Sequence, residues 1–335
     1  MEYRSLGRTG VKVSVLCLGC MMFGGKTGPE DSYAIIDRAI DAGINFLDTA
    51  NVYSRGRSEE VTGEALKRNG KRDKIVLATK VHGAMDDNDP NMSGNHRRNI
   101  IQQCEASLKR LQTDWIDLYQ IHRPQSSVPI DETLRALDDL IRAGKVLYAG
   151  TSTFAAWQVL ESVWVSKELG LNRFVCEQPP YHLLDRRIER ELIPLAQSYG
   201  IGLIPWSPLA GGLLTGKYNR TAPPPDGTRF ADYTNNPILQ KRWNDIAFDA
   251  IEQYEAYTKE RGVPMSHFAL AWCATQPGVT SPIIGPRTLD QLEDNLKALD
   301  LKITDEDRAK VDGIVPKGGM VSPYYEADFG PNMRW

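Results

Sequence analysis

The chain has 335 residues, and its 40 lysines and arginines nearly balance 43 aspartates and glutamates, for a formal net charge of −3. This balance provides no basic surface for nucleic acid and no attraction to an acidic membrane, so we expect neither partner. No run of about 20 apolar residues could span a bilayer, and the N-terminus lacks the form of a signal peptide, so a cytoplasmic location is the expected default.

The five cysteines lie mostly inside apolar runs, as buried reduced thiols do in a cytosolic protein. Cys17 and Cys20 form a Cys-x-x-Cys pair, but no second pair stands at zinc-ligand spacing. We therefore expect core thiols rather than a disulfide framework, a redox pair or a metal site.

Short β-branched and apolar runs alternate with longer stretches of helical period along most of the chain. Eight runs are predicted as strands: Val13 to Leu18, Ile44 to Asp48, Ile75 to Lys80, Trp115 to Ile121, Val146 to Thr151, Phe174 to Gln178, Ile201 to Trp206 and Pro282 to Gly285. Eight stretches are predicted as helices: Ser32 to Ala42, Ser58 to Arg68, Asn99 to Leu111, Asp131 to Ala143, Ala155 to Glu168, Arg187 to Tyr199, Met265 to Thr275 and Leu289 to Ala298. This alternation predicts an α/β fold, a closed (β/α)8 TIM barrel forming one domain over residues 1–335.

Three segments interrupt the alternation. The N-terminal segment, Tyr3 to Val11, contains a glycine turn and is predicted as a β-hairpin. A polar loop runs from His82 to Gly94, and a long loop from Ser207 to about Pro237 follows the seventh strand. A further helix, Asp305 to Ile314, and an irregular tail to Trp335 follow the eighth unit. Long loops in compact domains are often lids or binding loops.

Polar side chains close three consecutive predicted strands. Asp48 ends the second strand, Lys80 ends the third, and His122 follows the fourth. Tyr53 lies five residues after Asp48. Because the carboxyl ends of parallel strands meet at one rim of a barrel, we expect these four side chains to gather there.

Together these four groups could protonate an oxygen that gains negative charge. An ordinary tyrosine keeps its proton to about pH 10, but a buried lysine beside Tyr53 would stabilise the phenolate and make the hydroxyl a better acid. Asp48 could balance the charge of Lys80, and His122 could donate a hydrogen bond to a substrate oxygen. Each residue alone has an ordinary structural explanation, so the hypothesis depends on their proximity.

The segments around these side chains carry specific motifs, which are Ile44 to Tyr53, the strand end Thr79-Lys80, and Asp117 to Pro124. They resemble the aldo-keto reductases, and the resemblance extends from about Tyr3 to Leu299. It implies that Tyr53 is a general acid assisted by Lys80 and Asp48, and that His122 orients the carbonyl of an aldehyde or ketone. The Arg123-Pro124 pair and the loop after Trp206 resemble most the branch of bacterial stress-type reductases and potassium-channel β subunits.

These side chains can give a proton but not a hydride, so reduction requires a nicotinamide or similar carrier. No Gly-x-Gly-x-x-Gly opens a helix after a strand, which argues against a Rossmann module. Barrels commonly bind phosphates at the loops after strands 7 and 8. In the first of these loops Gly211, Gly212 and Lys217 suit a pyrophosphate, and Trp206 offers a flat face to the nicotinamide. On composition alone, a flexible lid without a ligand explains the glycines equally well.

The resemblance implies the remaining cofactor contacts. The full predicted set is Gly19, Cys20, Met21, Asp48, Ser152, Thr153, Gln178, Trp206, Ser207, Pro208, Leu209, Gly211, Gly212, Lys217, Gly285, Arg287, Gln291, Asp294 and Asn295. Arg287 could bind a 2′-phosphate with two hydrogen bonds, so we favour NADP(H) over NAD. Thr153 departs from the pattern, because many relatives carry asparagine or arginine there.

The predicted substrate residues are Met22, Tyr53, His82, His122 and Arg123. They combine apolar surface with positive charge, which suits small-molecule carbonyl compounds such as aldehydes, quinones or keto sugars. A homo-oligomer is compatible with the same sequence.

Three other functions were compared with carbonyl reduction. A P-loop ending in Lys26-Thr27 fails on spacing, because Cys20 occupies the position that needs glycine. A Schiff-base lyase using Lys80 is disfavoured, because Asp48 should keep that lysine protonated. An NADP-binding redox-sensing or regulatory subunit with little turnover stays open, since slow and fast catalysis leave the same residues in the sequence.

Overall fold

The computed structural model describes residues 1–324, and its centre is a parallel sheet closed into a barrel. An antiparallel hairpin, β1 (Tyr3–Ser5) and β2 (Lys12–Ser14), comes first. The barrel strands are β3 (Cys17–Gly19), β4 (Phe46–Asp48), β5 (Val76–Val81), β6 (Ile116–Ile121), β7 (Val146–Ser152), β8 (Phe174–Gln178), β9 (Gly202–Leu203) and β10 (Ile283–Ile284). They follow one another in sequence order, with β10 beside β3. The backbone N–H of Ile283 donates to Pro205 at 2.8 Å and closes the ring.

Helices surround the barrel. They are α1 (Pro29–Asp41), α2 (Arg57–Asn69), α3 (Arg97–Leu111), α4 (Ile130–Arg142), α5 (Ala156–Leu169), α6 (Leu192–Tyr199), α7 (Pro237–Arg242), α8 (Asp245–Glu260), α9 (Met265–Ala274), α10 (Leu289–Lys297) and α11 (Asp305–Ile314). Short 3₁₀ helices cover Tyr53–Gly56, Arg72–Lys74, Arg187–Glu189, Ala210–Thr215, Tyr233–Asn235 and Ala298–Asp300. The predicted (β/α)8 barrel, its N-terminal hairpin and the extra C-terminal helix are therefore confirmed.

The period of two along each strand decides which side chains face the barrel interior. Phe46, Ala78 and Leu118 belong to the inner cluster, whereas their neighbours Leu47, Leu77 and Tyr119 belong to the layer under the helices. Asp48, Lys80 and Gln120 lie two residues further along the same three strands, so their side chains also point into the barrel. Leu6 and Val13 of the hairpin join the inner cluster and close the opposite end of the barrel.

The first predicted strand, Val13 to Leu18, was wrong as a single element. Val13 belongs to the hairpin, and only Cys17–Gly19 enters the barrel. The Asn45 side-chain oxygen accepts from the backbone N–H of Ser14 at 2.7 Å, and the Ser14 hydroxyl donates to Leu16 at 2.7 Å. These local bonds turn the chain from one sheet into the other.

One helix prediction also needs correction, and two helices were missed. The stretch from Arg187 to Tyr199 is a 3₁₀ turn followed by α6, whose first turn contains Pro194, where the missing N–H is tolerated. Helices α7 and α8 were not predicted at all, although Asn244 caps α8 by accepting from the backbone N–H of Ala247 at 2.9 Å. The end of the predicted tail, residues 325–335, lies outside the described residues. Across residues 1–324, the helices lack the length and apolar character needed to cross a bilayer.

Candidate active site

Lys80 is fully buried and is the centre of a hydrogen-bond network at the rim of the barrel. Its ammonium donates to the Asp48 carboxylate, to the Thr49 carbonyl at 2.7 Å and to the Tyr53 hydroxyl at 3.3 Å. Three acceptors match the three protons of an ammonium. The structure therefore brings together three of the four side chains predicted from the strand ends.

Opposing effects act on the protonation of Lys80. Burial disfavours the charged ammonium, but the charge of Asp48 and the contact with Tyr53 outweigh it, so the pKa of Lys80 lies above its ordinary value. A lysine that stays protonated is a poor nucleophile, which disfavours Schiff-base chemistry at this position.

His122 packs against Tyr53. The two ring centroids are 5.6 Å apart in an edge-on arrangement. Burial, reinforced by the charges of Arg123 and Lys80, lowers the pKa of His122 well below its ordinary value. The imidazole is therefore neutral near pH 7 and can donate one N–H to a substrate oxygen.

Two glutamine amides complete the coordination of Asp48. The side-chain N–H groups of Gln120 and Gln178 donate to Asp48 Oδ2 at 2.9 and 3.0 Å. Gln178 also donates to the Gln120 carbonyl oxygen at 3.0 Å. Gln178 was predicted as a cofactor contact, whereas Gln120 was missed. The sequence did contain a signal for Gln120. It stands two residues before His122 along β6, so its side chain points into the barrel on the same face.

Strained backbone is concentrated around this rim. Of the six non-glycine residues with positive φ in residues 1–324, all but Gln112 follow the carboxyl end of a barrel strand: Ser54, Arg55, Thr153, Ser207 and Ala210. Such conformations cost about 1 kcal/mol or more each and persist mainly where the surroundings impose them. The loops after β4, β7 and β9 are thus held in unusual shapes beside the same side chains.

The loop after β7 links the predicted carboxamide residues to the predicted substrate residues. Arg123 donates to the Thr153 hydroxyl at 2.9 Å and to the His122 carbonyl at 2.8 Å. The Ser152 hydroxyl donates to the Gln178 carbonyl at 3.0 Å. The neighbouring Glu177 was missed by sequence reasoning, and it accepts from the backbone N–H of Phe154 at 3.1 Å.

The remaining rim residues come from the loops after β3 and β5. The backbone N–H of Cys20 donates to the Asp48 carbonyl at 2.8 Å, so Gly19 and Cys20 lie directly beside the network. Met21 is exposed and Met22 partly buried. His82 contacts the Asn95 side chain at 2.9 Å. Burial and the charge of Arg123 lower the pKa of His82, opposed by its hydrogen bond with Asn95.

The glycine-rich loop after β9 forms a cradle. It runs through Ser207, Pro208 and Leu209 into Gly211 and Gly212, both of which have positive φ. A Cβ on Gly212 would lie 3.0 Å from the Lys217 ammonium. Burial and the charge of Arg287 lower the pKa of Lys217.

Buried donors near this cradle support a ligand. In the part of the chain that the structure describes, Trp206 Nε1 and Tyr324 Oη are buried and have no hydrogen-bond partner. The glycines let a ligand approach the backbone closely, cationic side chains lie nearby, and two buried donors are unpaired. These features fit a phosphate-bearing dinucleotide better than an empty lid.

The predicted adenosine residues lie together between Gly285 and the first turns of α10. The Gln291 side chain accepts from the backbone N–H of Arg287 at 2.8 Å, and the Arg287 guanidinium donates to the Gly227 carbonyl at 2.8 Å. Asp294 contacts His267 at 2.8 Å, and Asn295 is buried. Arg287 therefore connects this helix to the long loop after β9.

Comparisons with known proteins agree with this geometry. The model of the Aldo/keto reductase family matches residues 15–316. An uncharacterized oxidoreductase, YrpG, of Bacillus subtilis is 40% identical over 331 residues, covering 96% of this chain and 98% of that protein. A probable voltage-gated potassium channel subunit beta of Arabidopsis thaliana is 39% identical over 304 residues, 90% of this chain and 92% of its own. Versiconal hemiacetal acetate reductase of Aspergillus parasiticus is 34% identical over 332 residues, 92% and 95% of the two chains.

Proposed function

Because the chain belongs to the aldo/keto reductase family, we propose that it is an NADPH-dependent oxidoreductase that reduces an aldehyde or ketone to an alcohol. The observation that carries this proposal is the contact of Lys80 with both the Asp48 carboxylate and the Tyr53 hydroxyl. The bound nicotinamide supplies the hydride. The protein supplies the proton and the environment in which it moves.

Tyr53 gives its hydroxyl proton to the carbonyl oxygen. As that proton leaves, the Lys80 ammonium stabilises the phenolate that remains. Asp48 keeps the ammonium in place, and Gln120 and Gln178 keep the carboxylate in place. The neutral imidazole of His122 donates a hydrogen bond to the same substrate oxygen and aligns it with Tyr53. One hydride and one proton thus convert the carbonyl into an alcohol.

The residues around the cradle suit the cofactor. Trp206 would face the nicotinamide ring, and Ser152 and Gln178 would lie near its carboxamide. Gly211, Gly212 and Lys217 would approach the pyrophosphate, and Arg287 would bind the 2′-phosphate. The positive charge of Arg287 is the reason for favouring NADPH over NADH.

The test is a panel of aldehydes, quinones and keto sugars, each followed by the loss of NADPH absorbance. Turnover with at least one class, reduced about 100-fold or more in a Tyr53→Phe variant, is the expected result. Turnover in this variant equal to that of wild type would exclude Tyr53 as the acid.

A regulatory subunit that holds NADP with little turnover is a second candidate. It is favoured by the relative from Arabidopsis thaliana that is named as a channel subunit. Rapid oxidation of one bound NADPH without further cycles would support this candidate, and steady turnover would support the enzyme.

A further inference from the structure

The last described segment of the chain, residues 317–324, runs back to the barrel mouth. Its backbone N–H at Val321 donates to the Leu184 carbonyl at 2.9 Å, in the loop after β8. On its other side the Ser322 hydroxyl donates to the Arg242 carbonyl at 3.2 Å, and the Asn244 side chain donates to the Val321 carbonyl at 3.0 Å. The segment is therefore held between two parts of the rim.

This segment carries Tyr324 into a fully buried position beside the predicted nicotinamide platform. Its ring centroid lies 5.5 Å from that of Trp206 and 4.4 Å from that of His182. The guanidinium carbon of Arg242 lies 3.8 Å above its ring. The backbone N–H of Tyr324 donates to the Asp185 carboxylate at 3.3 Å. These four contacts fix the direction of the hydroxyl.

The Tyr324 hydroxyl points at the glycine-rich loop and finds no acceptor for its proton there. A Cβ on Gly211 would lie 3.2 Å from this oxygen, and no group in residues 1–324 accepts a hydrogen bond from it. Buried tyrosine hydroxyls usually find an acceptor, because a buried donor without one loses the hydrogen bond that it made with water. The Tyr324 hydroxyl is thus an unpaired donor beside the backbone of Gly211. This arrangement indicates a binding position for a ligand oxygen.

Positive charge surrounds the same position. Arg229 Cδ lies 3.2 Å from the Cβ position of Gly211. Arg242 is 3% exposed, and its Nε bonds to nothing within the described part of the chain. Burial and the charge of Arg229 lower the pKa of Arg242, opposed by nearby Tyr324 and Asp185. The carboxylate of Asp185 already pairs with Arg187 at 2.8 Å. The pocket thus has more cationic than anionic groups, and a bound anion would neutralise the excess positive charge.

We propose that Tyr324 is a cofactor-binding residue whose hydroxyl donates to a phosphate oxygen of the dinucleotide at Gly211, in a subsite made cationic by Arg229 and Arg242. The inference rests on the proposed function and adds to it a ligand contact from the C-terminal segment. It assigns a role to the buried Arg242, which the proton-transfer network does not use. It also makes the segment that carries Tyr324 part of the cofactor site.

The experiment compares the full chain with its Tyr324→Phe variant, which keeps the ring and loses only the hydroxyl. Calorimetric titration with NADPH measures affinity, and thermal unfolding without cofactor measures stability. Tyr254→Phe is the matched control, because Tyr254 is fully buried and its hydroxyl donates to the Leu183 carbonyl at 3.3 Å. We expect Tyr324→Phe to weaken NADPH binding about tenfold or more, since hydrogen bonds to charged groups are among the strong ones.

Stability separates a ligand contact from a structural role. Removing an unmet buried hydroxyl should leave the melting temperature of the cofactor-free protein unchanged or raise it. Tyr254→Phe should lower that temperature and leave NADPH affinity unchanged. Arg242→Met serves as the second variant, and it should weaken NADPH binding and reduce the dependence of that binding on salt.

Each contrary outcome has a distinct meaning. Equal NADPH affinity in wild type and Tyr324→Phe, with carbonyl reduction intact, would overturn this inference and leave the proposed function standing. A wild-type protein that binds no NADPH would overturn both. Unchanged NADPH affinity with a raised KM for glyceraldehyde 3-phosphate would assign the hydroxyl to a substrate phosphate and also overturn the inference.

Discussion

The ammonium of Lys80 donates to the hydroxyl of Tyr53 over 3.3 Å, and the Asp48 carboxylate holds the same ammonium from its other side. In the proposed mechanism, Lys80 would therefore stabilise a phenolate at Tyr53 without being free to move toward a substrate. The two proposed roles can be separated by experiment, because Tyr53 would supply the proton and Lys80 would supply the charge that lets the proton leave.

Removal of the Tyr53 hydroxyl should separate chemistry from binding. In Tyr53→Phe we expect kcat to fall by about 10²- to 10⁴-fold, the usual contribution of a general acid, while NADPH affinity stays near wild type. Stopped-flow kinetics and calorimetry measure the two quantities. Tyr119→Phe is the control, because that buried hydroxyl donates to the Ile100 carbonyl at 3.3 Å and its ring packs under the helices. Comparable kcat losses in both variants would contradict a specific role for Tyr53.

The buried pair of Asp48 and Lys80 should show a rescue of stability without a rescue of activity. Asp48→Asn leaves a buried ammonium without its counter-charge, and we expect a loss of about 3–5 kcal/mol in the free energy of unfolding. The double variant Asp48→Asn/Lys80→Met removes both charges and should regain much of that loss. Neither variant should turn over. Denaturant unfolding measures the free energy of unfolding of each variant. A double variant that is less stable than Asp48→Asn alone would show that the two charges are not coupled.

The sequence was sufficient to predict the part of the candidate site that lies at the ends of the strands. Asp48, Lys80 and His122 share the inward phase of three consecutive strands, so a period of two and a parallel sheet were sufficient to bring them together. Gln120 has the same phase, but it lies one layer below the rim and was read as part of an apolar run. Its role becomes visible only when the Asp48 carboxylate is seen to accept from it.

What could not be predicted depends on contacts distant in sequence. Tyr324 meets Trp206 and His182 across more than a hundred residues, and no local pattern marks the segment that carries it. The division of Val13 to Leu18 between two sheets depends on the Asn45 side chain, which a continuous apolar run conceals. Helices α7 and α8 were not predicted, because they follow the long irregular loop after β9 and were not separated from it.

Arg287 should distinguish the two dinucleotides. Its guanidinium would bind the 2′-phosphate that NADPH has and NADH lacks, so Arg287→Ala should weaken NADPH binding roughly tenfold or more and leave NADH binding almost unchanged. NADH thereby serves as the internal control for folding and for the rest of the site. Because Arg287 also donates to the Gly227 carbonyl, the variant could instead loosen the loop after β9. In that case both affinities would fall alike, and the assignment to the 2′-phosphate would be wrong.

Glu177 should make stability depend on pH above the acid range. Burial raises the pKa of this carboxyl from 4.5 to about 8, so the folded protein keeps its proton near pH 7 while the unfolded chain loses it. The resulting contribution to stability is complete below pH 4.5 and is lost as the pH rises through about 8, by about 1.4 kcal/mol per pH unit between these limits. Glu177→Gln carries no titrating proton, so the difference in unfolding free energy between wild type and variant should change with pH by that slope. Glu161→Gln, at an exposed position on α5, should show no such difference. Parallel stability profiles for wild type and Glu177→Gln from pH 5 to 8 would mean that the buried carboxyl is ionised in the folded protein.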